Sequence, residues 1–488
     1  MKKQKLFGLV TALGLMLALT VSAAAFSDVP SGHWAGDAIR RCAQAGWLRG
    51  ESADVFGLGR PMTRAGFTVA LQRFFGWEET ALAAPYADVA ESDWFAGAVN
   101  AAYAQGAVTA QRPDFRPSDP ITREEMAVML VRALGWGPVS GLAQGQSLPF
   151  TDVTTNSGYL TLAYDMGLLS GTSATTCAPD APATREQAAV ILMRLHDKLR
   201  STPAAELAIV TNWEDGNVLG DFEAVAISAG RLSVAGKKSV YSAAMKDSAA
   251  EVLSAAKAAG AKALLGVTAR ETVLKAVPAD TAALLAEKAI QGGYEGLYLD
   301  IAEVSAKNQG KLTALAQAVK AALGDRPFYL AVEAPALTGK AHGGYDYASL
   351  AACADRLVVR PAAIEEKNSA IMEAPAAPLE ECWYALRHLQ ALDNVTLLLP
   401  ARGSAWRGSS EADPLSGAEI EEALAEGAER YYSQRYGCAY LRQNGLTVWY
   451  LNEEAAQARV QLLGLMGRDR FALSDAQDAS GELLAALD

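Results

Sequence analysis

A short segment in the second half of the chain places acidic side chains where they could do chemistry. Asp300 ends the apolar run 296–300, and Glu303 follows three positions later. Residues two apart on a strand share a face, so the position that would pair with Asp300 is 302, which is alanine. Glu303 is therefore expected on the other side of the strand, and only a β-bulge would turn it inward.

The first part of the chain repeats an arginine in one sequence context. Three units repeat with a period of about 60 residues. Each opens with an aromatic residue, has Asp-Val starting two positions later, and carries Thr-Arg further along. The arginines are Arg64, Arg123 and Arg185, and tryptophans stand eight positions after the first two openings, at Trp34 and Trp94. A guanidinium fork suits a carboxylate, and an aromatic ring can stack on a sugar. The alternative is that these side chains only hold the units together.

Each unit is predicted to contain two helices, the second starting at the threonine. Apolar residues recur at helical spacing after Trp34 and Trp94, where the tryptophans fall on the apolar stripe. The spacing of two pairs predicts capping boxes, Thr122 with Glu125 and Thr184 with Gln187, whereas the first unit has Gly66 at the third position. We place the units at residues 26–80, 81–140 and 145–200, with a Gly/Ser/Pro-containing link at 137–149.

Residues 205–488 alternate short apolar runs with amphipathic helices. Eight runs are predicted as buried strands: 207–213, 224–228, 263–267, 296–300, 328–332, 356–359, 395–399 and 470–473. Continuous apolar strands alternating with helices predict a parallel sheet covered by helices, and eight units fit a (β/α)8 barrel. The fold class is therefore an all-α three-repeat bundle followed by an α/β barrel. Barrels place their sites at the carboxyl ends of the strands, where Glu333 lies.

The repeated motifs over about residues 26–197 resemble the S-layer homology family. The resemblance implies a three-unit helical bundle that binds an anionic, pyruvylated secondary cell-wall polymer attached to peptidoglycan. It assigns Arg64, Arg123 and Arg185 as anion contacts, with Trp34 and Trp94 as groove aromatics. The third unit departs from the pattern, because glycine stands where tryptophan is expected.

The second half resembles glycoside hydrolase family 18, including its branch that cuts spore-cortex or other peptidoglycan sugars. Residues 293–300 resemble the fourth strand, and segments at 345–359, 398–406 and 448–450 resemble later strands in the right order. The resemblance implies a site for N-acetylhexosamine glycans. The candidate glycan contacts are Glu295, Tyr298, Glu333 and Trp406. The alternative is that Glu295 and Asp300 are buried structural carboxylates.

Three departures from that family bear on catalysis. Active members carry the acid at the position of Ala302, a Met-x-Tyr-Asp at the sixth strand end and a tryptophan at the eighth. Here Arg360 and Pro361 follow the sixth strand, and Ser474 stands near the tryptophan position. A general acid typically contributes about 10²–10⁴-fold to the rate, so we predict a non-catalytic barrel. Asp300 and Glu303 are the catalytic candidates if the barrel is instead an active hydrolase.

Composition narrows the remaining functions. A net charge of −12 without a basic block argues against nucleic-acid binding. The five cysteines and four histidines are scattered, so we expect no metal, no cofactor and no disulfide framework, although one pair among the last three cysteines is possible.

The N-terminus has the pattern of an export signal. Lysines precede the apolar run 6–21, and small residues follow at 22–25, which predicts a signal peptide over residues 1–25 cleaved near Ala24 or Ala25. The mature chain is expected to lack a transmembrane helix and to be secreted to the cell wall.

Three hypotheses follow. The first is a wall-anchored protein whose hydrolase-like barrel binds glycan without cutting it. The second is a wall-anchored hydrolase of peptidoglycan or chitin-like polymers that uses a displaced acid. The third is a structural S-layer subunit whose barrel assembles with itself.

Overall fold

A computed structural model describes residues 26–80, 82–214, 219, 222–245, 248–338, 341–362, 374–408 and 410–487. The predicted signal peptide and its cleavage site lie outside these residues. The chain divides into two compact units, residues 1–200 and 201–488. Each unit is described by itself.

The first unit is rich in helices. They are α1 (Gly36–Gln44), α2 (Arg64–Phe75), α3 (Ala96–Ala104), α4 (Arg123–Ala133), α5 (Gly137–Ala143), α6 (Ser157–Asp165) and α7 (Arg185–Leu199). Its described residues also form three isolated antiparallel bridges, Pro61 with Thr184, Thr63 with Pro120 and Thr122 with Pro182. The predicted helical repeats are therefore present, joined by short extended pairings at the threonines.

The three repeats form a closed ring. The second helix of each repeat packs on the first helix of the next, so that α2 contacts α3, α4 contacts α6 and α7 contacts α1. The predicted capping box at Thr122 is confirmed, with both of its hydrogen bonds present. At Thr184 the Gln187 side chain accepts the Thr184 N–H at 3.2 Å, while the Thr184 hydroxyl has no partner among the described residues. In the first repeat the Thr63 hydroxyl accepts a hydrogen bond from the Gly66 N–H. The second bond of a capping box is missing there, because glycine has no side chain that could accept the Thr63 N–H.

The link between the second and third repeats contains a helix that we did not predict. α5 packs on α6. A Cβ at Gly158 would lie 1.8 Å from the Ser140 carbonyl oxygen of α5. The absence of the third tryptophan thus has a steric reason, because α5 occupies the space over that position.

The second unit contains a closed parallel barrel. The strands of the unit are β1 (Ala204–Val210), β2 (Ala224–Ala235), β3 (Lys238–Ala243), β4 (Lys262–Arg270), β5 (Gly296–Ala302), β6 (Phe328–Glu333), β7 (Arg356–Arg360), β8 (Val395–Pro400), β9 (Gly403–Arg407), β10 (Ser410–Leu415), β11 (Glu429–Ser433), β12 (Cys438–Gln443), β13 (Leu446–Tyr450) and β14 (Arg470–Ser474). Eight of them pair in parallel in the order β1-β14-β8-β7-β6-β5-β4-β2, and β1 also pairs with β2, which closes the barrel. All eight predicted strands are present, and β3 adds an antiparallel hairpin to β2.

Helices cover the barrel between its strands. They are α8 (Ala249–Ala258), α9 (Pro278–Gln291), α10 (Gln309–Leu323), α11 (Tyr347–Ala351), α12 (Leu379–His388), α13 (Gly417–Ala425), α14 (Glu453–Leu465) and α15 (Gly481–Leu487). Among the described helices of the chain, none combines the length and apolar character that a membrane span needs.

A five-stranded antiparallel sheet lies between β8 and β14 in the sequence. Its order is β10-β9-β13-β12-β11, and α13 packs its apolar face through Ile420 against Leu441 and Val448. We did not predict this sheet. The segment 448–450, which resembles the residues leading into the eighth barrel strand of the hydrolase family, lies in this sheet as part of β13.

Charged side chains inside the barrel meet at its amino-terminal end. The β1–β14 register shifts between Ala205 and Leu207, and the Glu206 carboxylate between them is buried. It accepts hydrogen bonds from Arg356 at 2.5 Å and from the Thr396 hydroxyl, and lies 3.6 Å from Arg470. This cluster closes one end of the barrel, opposite the carboxyl ends of the strands.

Candidate functional site

A cavity of about 520 Å³ opens at the carboxyl ends of the barrel strands. The ionisable side chains lining it that matter for its chemistry are Tyr298, Asp300, Glu303, Glu333, Arg360 and Asp475. They come from or directly follow β5, β6, β7 and β14. The cavity therefore lies where (β/α)8 barrels hold their active sites.

Arg360 joins two carboxylates inside the cavity. Its Nη2 donates to Asp300 Oδ2 at 2.6 Å and its Nη1 donates to Glu333 Oε1 at 2.7 Å. Among the described residues, Arg360 is the only donor to either carboxylate. Burial lowers the pKa of the guanidinium, but the electrostatic interactions with Asp300, Tyr298 and Glu333 together outweigh burial and hold the pKa above its ordinary value. Arg360 is thus a permanent cation that bridges the two acids.

Tyr298 forms the floor of this cluster. It lies two residues before Asp300 on the same face of β5, belongs to the barrel core and is almost fully buried. Burial raises the pKa of its phenol, and the nearby Asp300 carboxylate raises it further. Tyr298 therefore stays neutral and can offer a hydroxyl to a ligand.

Glu303 reaches the cavity through its backbone conformation. The β4–β5 register is regular as far as Ala302, so no β-bulge turns the strand. Glu303 instead takes a positive φ of 56°, a conformation that non-glycine residues adopt rarely and mostly at functional or strained sites. Its carboxylate lies 3.2 Å from Arg270, and both side chains are more than half exposed. Our expectation that Glu303 points away from the site is therefore wrong.

Asp475 is a site residue that the sequence analysis missed. It also has a positive φ, of 49°, and it accepts a hydrogen bond from the Thr211 hydroxyl. Ser474, which stands near the tryptophan position of the resembled family, lines the cavity beside it. Arg360 was noted only as part of a lost motif, although its place at the end of the sixth barrel strand could have indicated a site residue.

Two predicted glycan contacts do not line the cavity. Glu295 precedes β5, at the amino-terminal end of the strand, and accepts a hydrogen bond from the Ala263 N–H at 3.2 Å. Trp406 lies on β9, where its indole donates to the Ala374 carbonyl at 3.1 Å. The structure therefore brings Tyr298, Asp300, Glu303 and Glu333 together and corrects the placement of Glu295 and Trp406.

In the first unit, each of the three motif arginines contacts the next repeat. The Nε of Arg64 donates to the Phe115 carbonyl, that of Arg123 to Cys177 and that of Arg185 to Phe56, all at 2.8–2.9 Å. These three bonds follow the ring of repeats and support a structural contribution. Their role as anion contacts stays a prediction.

The repeat aspartates hold the loops that these arginines meet. Asp28 accepts backbone N–H groups from Phe56, Gly57 and Leu58. Asp88 and Asp152 do the same for residues 115–116 and 177–178. The Asp-Val motif therefore explains the repeated loop structure.

A groove of about 210 Å³ in the first unit is lined by several arginines. Four arginines face it, Arg64, Arg112, Arg116 and Arg132, together with three acids, Asp114, Glu124 and Glu125. Arg64 and Arg116 both pair with Glu125, while Arg112 is exposed.

The tryptophans Trp34 and Trp94 do not line this groove, and they precede α1 and α3. Their side chains are 64% and 71% exposed. Such exposure argues against the alternative that these tryptophans only hold the units together, and their role as groove aromatics stays a prediction.

The described residues contain no group of three or more histidine, cysteine or acidic side chains that could hold a metal ion. All five cysteines are free thiols.

Comparison with protein families identifies the repeats. The S-layer homology domain family matches residues 25–67, 85–127 and 149–189. Exoglucanase XynX of Acetivibrio thermocellus is 29% identical over 177 residues, covering 36% of this chain and 16% of that protein. The S-layer protein of Bacillus thuringiensis subsp. finitimus is 23% identical over 209 residues, covering 42% and 26%. The chain thus spans about a quarter or less of the length of these relatives.

Solved structures show the fold of the second unit. A chitinase from Chromobacterium violaceum superposes with a TM-score of 0.50 at 18% identity, covering 58% of this chain and 98% of that chain. The spore cortex-lytic enzyme SleL of Bacillus cereus has a TM-score of 0.48 at 11% identity, covering 59% and 74%. The chain therefore carries three S-layer homology domains and an eight-stranded parallel barrel that resembles those of glycoside hydrolase family 18.

Proposed function

We propose that this protein is anchored to the cell wall by its S-layer homology domains and presents a barrel that binds glycan without hydrolysing it. The wall ligand is an anionic secondary polymer attached to peptidoglycan. The barrel ligand is a hexosamine glycan, held in the cavity at the carboxyl ends of the strands. The protein is exported by its N-terminal signal and acts at the cell surface.

The arginine-lined groove supports the anchoring part of the proposal. Arg112 is exposed in it, and a guanidinium binds carboxylates with charge-assisted hydrogen bonds. The exposed Trp34 and Trp94 offer aromatic faces to sugar rings. The third repeat has α5 packed over the corresponding position, so the first two repeats are the better candidates for sugar stacking.

The non-catalytic part rests on the two hydrogen bonds that Arg360 donates to Asp300 and Glu333, which we call the Arg360 clamp. A general acid must be protonated and within reach of the leaving-group oxygen. Asp300 and Glu333 both accept hydrogen bonds from Arg360, at 2.6 and 2.7 Å, so neither is free to act as that acid, and position 302 is alanine. The cavity therefore keeps its shape and polar groups but has no carboxylic acid at the position where the resembled family carries its proton donor.

A hydrolase that uses Glu303 is the second candidate function. Its positive φ brings Glu303 to the cavity within three residues of Asp300, which is the displaced acid that this function needs. The opposing observation is its environment, because the carboxylate is more than half exposed and paired with Arg270. A general acid must face the leaving-group oxygen, whereas the ion pair directs this carboxylate towards Arg270 at the rim.

Reducing-sugar release separates the two functions. The full-length protein is incubated with peptidoglycan and with chitin oligomers, beside Glu303→Gln, Asp300→Asn and the control Glu287→Gln. Glu287 is a matched control, because it is 54% exposed and paired with Lys288, as Glu303 is 56% exposed and paired with Arg270. We expect no release by any of the four proteins, with glycan retained in pull-down assays.

Release that disappears in Glu303→Gln but persists in Glu287→Gln would overturn the non-catalytic proposal. Absence of both release and retention would instead favour the structural subunit. Self-assembly of the full-length protein, measured by light scattering, would then support that role.

Wall binding is tested separately on peptidoglycan sacculi with and without their secondary polymer. We expect sedimentation with intact sacculi and loss of it on stripped ones. Arg112→Gln should weaken sedimentation several-fold, because it removes a groove charge. Arg200→Gln removes an exposed arginine that does not line the groove and should change nothing. Equal binding to stripped sacculi would contradict the proposed ligand.

A further inference from the structure

The barrel cavity has an excess of negative charge. Among the described residues that line it, four are carboxylates, namely Asp300, Glu303, Glu333 and Asp475, one is an arginine, Arg360, and one is a histidine, His342. Glu303 also pairs with Arg270 outside the lining. Even with both arginines and the histidine counted as cations, the carboxylates are in excess by one. The field inside the cavity therefore attracts a cationic group and repels an anionic one.

The carboxylates also have acceptor capacity left for a ligand. Arg360 contacts only Oδ2 of Asp300 and only Oε1 of Glu333. The second oxygen of each carboxylate receives no hydrogen bond from the described residues. A carboxylate has about four acceptor positions, so an ammonium group could bind beside Arg360 without displacing it.

We infer that the cavity selects hexosamine units whose amino group is free over units whose amino group is acetylated. This inference rests on the proposed function, in which the cavity binds a hexosamine glycan. In mildly acidic solution, where the titration below is made, the free amine of a hexosamine unit is protonated and donates three hydrogen bonds, whereas an acetamido group is neutral and donates one.

Asp475 is positioned to take part in this selection. It stands on the β14 side of the cavity, across the barrel from the Asp300–Arg360–Glu333 cluster of β5, β6 and β7. Its hydrogen bond from Thr211 fixes one oxygen. The cavity thus offers carboxylates on two sides, which suits a glycan that presents amino groups on successive sugars.

The test compares two ligands of equal length by calorimetric titration of the full-length protein. They are β-1,4-linked hexamers of glucosamine and of N-acetylglucosamine. We expect the glucosamine hexamer to bind at least about tenfold more tightly, which corresponds to ~1.4 kcal/mol. Equal or tighter binding of the acetylated hexamer would overturn the inference and leave the proposed glycan binding in place. Binding of neither hexamer would refute both.

A variant of a cavity residue tests whether the preference for the glucosamine hexamer arises in this cavity. Asp475→Asn removes one charge, and asparagine tolerates the positive φ at this position as aspartate does. It should weaken the glucosamine hexamer about three- to tenfold and leave the acetylated hexamer unchanged, while Glu287→Gln should affect neither. If Asp475→Asn leaves the preference intact, the selectivity arises elsewhere on the acidic surface and the inference is wrong.

A polyamine without sugar rings controls for charge alone. Spermine is titrated into the same proteins at the same ionic strength. We expect it to bind more weakly than the glucosamine hexamer, because only the hexamer can use the apolar cavity wall around Ile209 and Leu398. If spermine and the glucosamine hexamer bind with equal affinity, the cavity binds cations in general, which would contradict selection of a sugar.

Discussion

The two ends of the barrel hold charged clusters of opposite arrangement. At the amino-terminal end one carboxylate, Glu206, faces two arginines, Arg356 and Arg470. At the carboxyl end one arginine, Arg360, faces two carboxylates, Asp300 and Glu333. Arg356 and Arg360 stand four residues apart on β7, so the same inward face of one strand supplies a cation to both ends.

Access to water distinguishes the two clusters. Glu206 is 1% exposed and is surrounded by Arg356, Arg470, Tyr329 and Thr396. The Arg360 cluster borders a cavity of about 520 Å³. A buried carboxylate needs all of its partners, whereas a group at an open cavity can exchange them for water or ligand. We conclude that the first cluster stabilises the barrel and the second is available for binding.

The largest expected effect is that of Glu206→Gln. The substitution keeps the shape of the side chain but leaves Arg356 without its carboxylate partner, whereas Arg470 keeps Glu223 at 2.6 Å. Removing one partner of a buried ion pair typically costs about 3–5 kcal/mol. Because both arginines are partly exposed, we expect a loss of about 3 kcal/mol in the free energy of unfolding, measured by urea titration.

Glu223→Gln is the matched control for Glu206→Gln. Glu223 also pairs with Arg470, but its side chain is half exposed. We expect a change below about 0.5 kcal/mol. Similar losses in the two variants would show that the burial of Glu206 is not what makes its cluster important for stability.

The next effect concerns Glu380, a buried carboxylate that belongs to neither cluster. Neither of its oxygens has a hydrogen-bond partner among the described residues. Burial raises the pKa of Glu380 to about 7, although its proximity to its own backbone N–H and the charges of Arg435 and Arg459 lower it in part. The folded protein therefore holds a proton here that the unfolded chain, with an ordinary pKa of 4.5, releases earlier. The resulting stability is present below pH 4.5 and is lost as the pH rises to about 7.

Unfolding at several pH values measures this contribution. Relative to Glu380→Gln, the native protein should lose about 2–3 kcal/mol between pH 5 and pH 8. The glutamine variant keeps a neutral side chain throughout and should lack this part of the pH dependence. Parallel curves for the two proteins would mean that the carboxylate is solvated or paired after all.

Arg360→Met comes next in size. It removes both bonds of the clamp and leaves Asp300 and Glu333 side by side, each mostly buried. Water from the cavity can solvate them in part, so we expect a loss of about 2 kcal/mol in urea titration, less than for Glu206→Gln. Arg360→Lys keeps the charge but cannot bridge two acids with a planar fork, and it should lose about half as much. A loss as large as that of Glu206→Gln would mean that the Arg360 cluster contributes as much to stability as the Glu206 cluster does.

The barrel was predictable from sequence because each of its strands is a continuous apolar run, such as residues 395–399. The inserted sheet was not, because strands such as β11 (Glu429–Ser433) are mostly polar and carry no such run. The site was predicted in part, since Asp300 and Glu333 end apolar strands. The direction of Glu303 depends on a single positive φ, which its side-chain type does not reveal. The Arg360 clamp joins a side chain of β7 to carboxylates of β5 and β6. These residues are distant in sequence and come together only when the barrel forms.

The smallest effect is expected at the rim of the cavity, where Arg270 pairs with Glu303. Their side chains are 77% and 56% exposed, and exposed pairs contribute about 0–1 kcal/mol. Arg270→Ala should therefore change the free energy of unfolding by less than about 0.5 kcal/mol in urea titration. It also frees the Glu303 carboxylate, so binding of the glucosamine hexamer should become stronger as the cavity loses a neighbouring cation. A loss of stability as large as that of Arg360→Met would show instead that the Arg270–Glu303 pair holds the strained turn, and that the rim is as structural as the opposite end of the barrel.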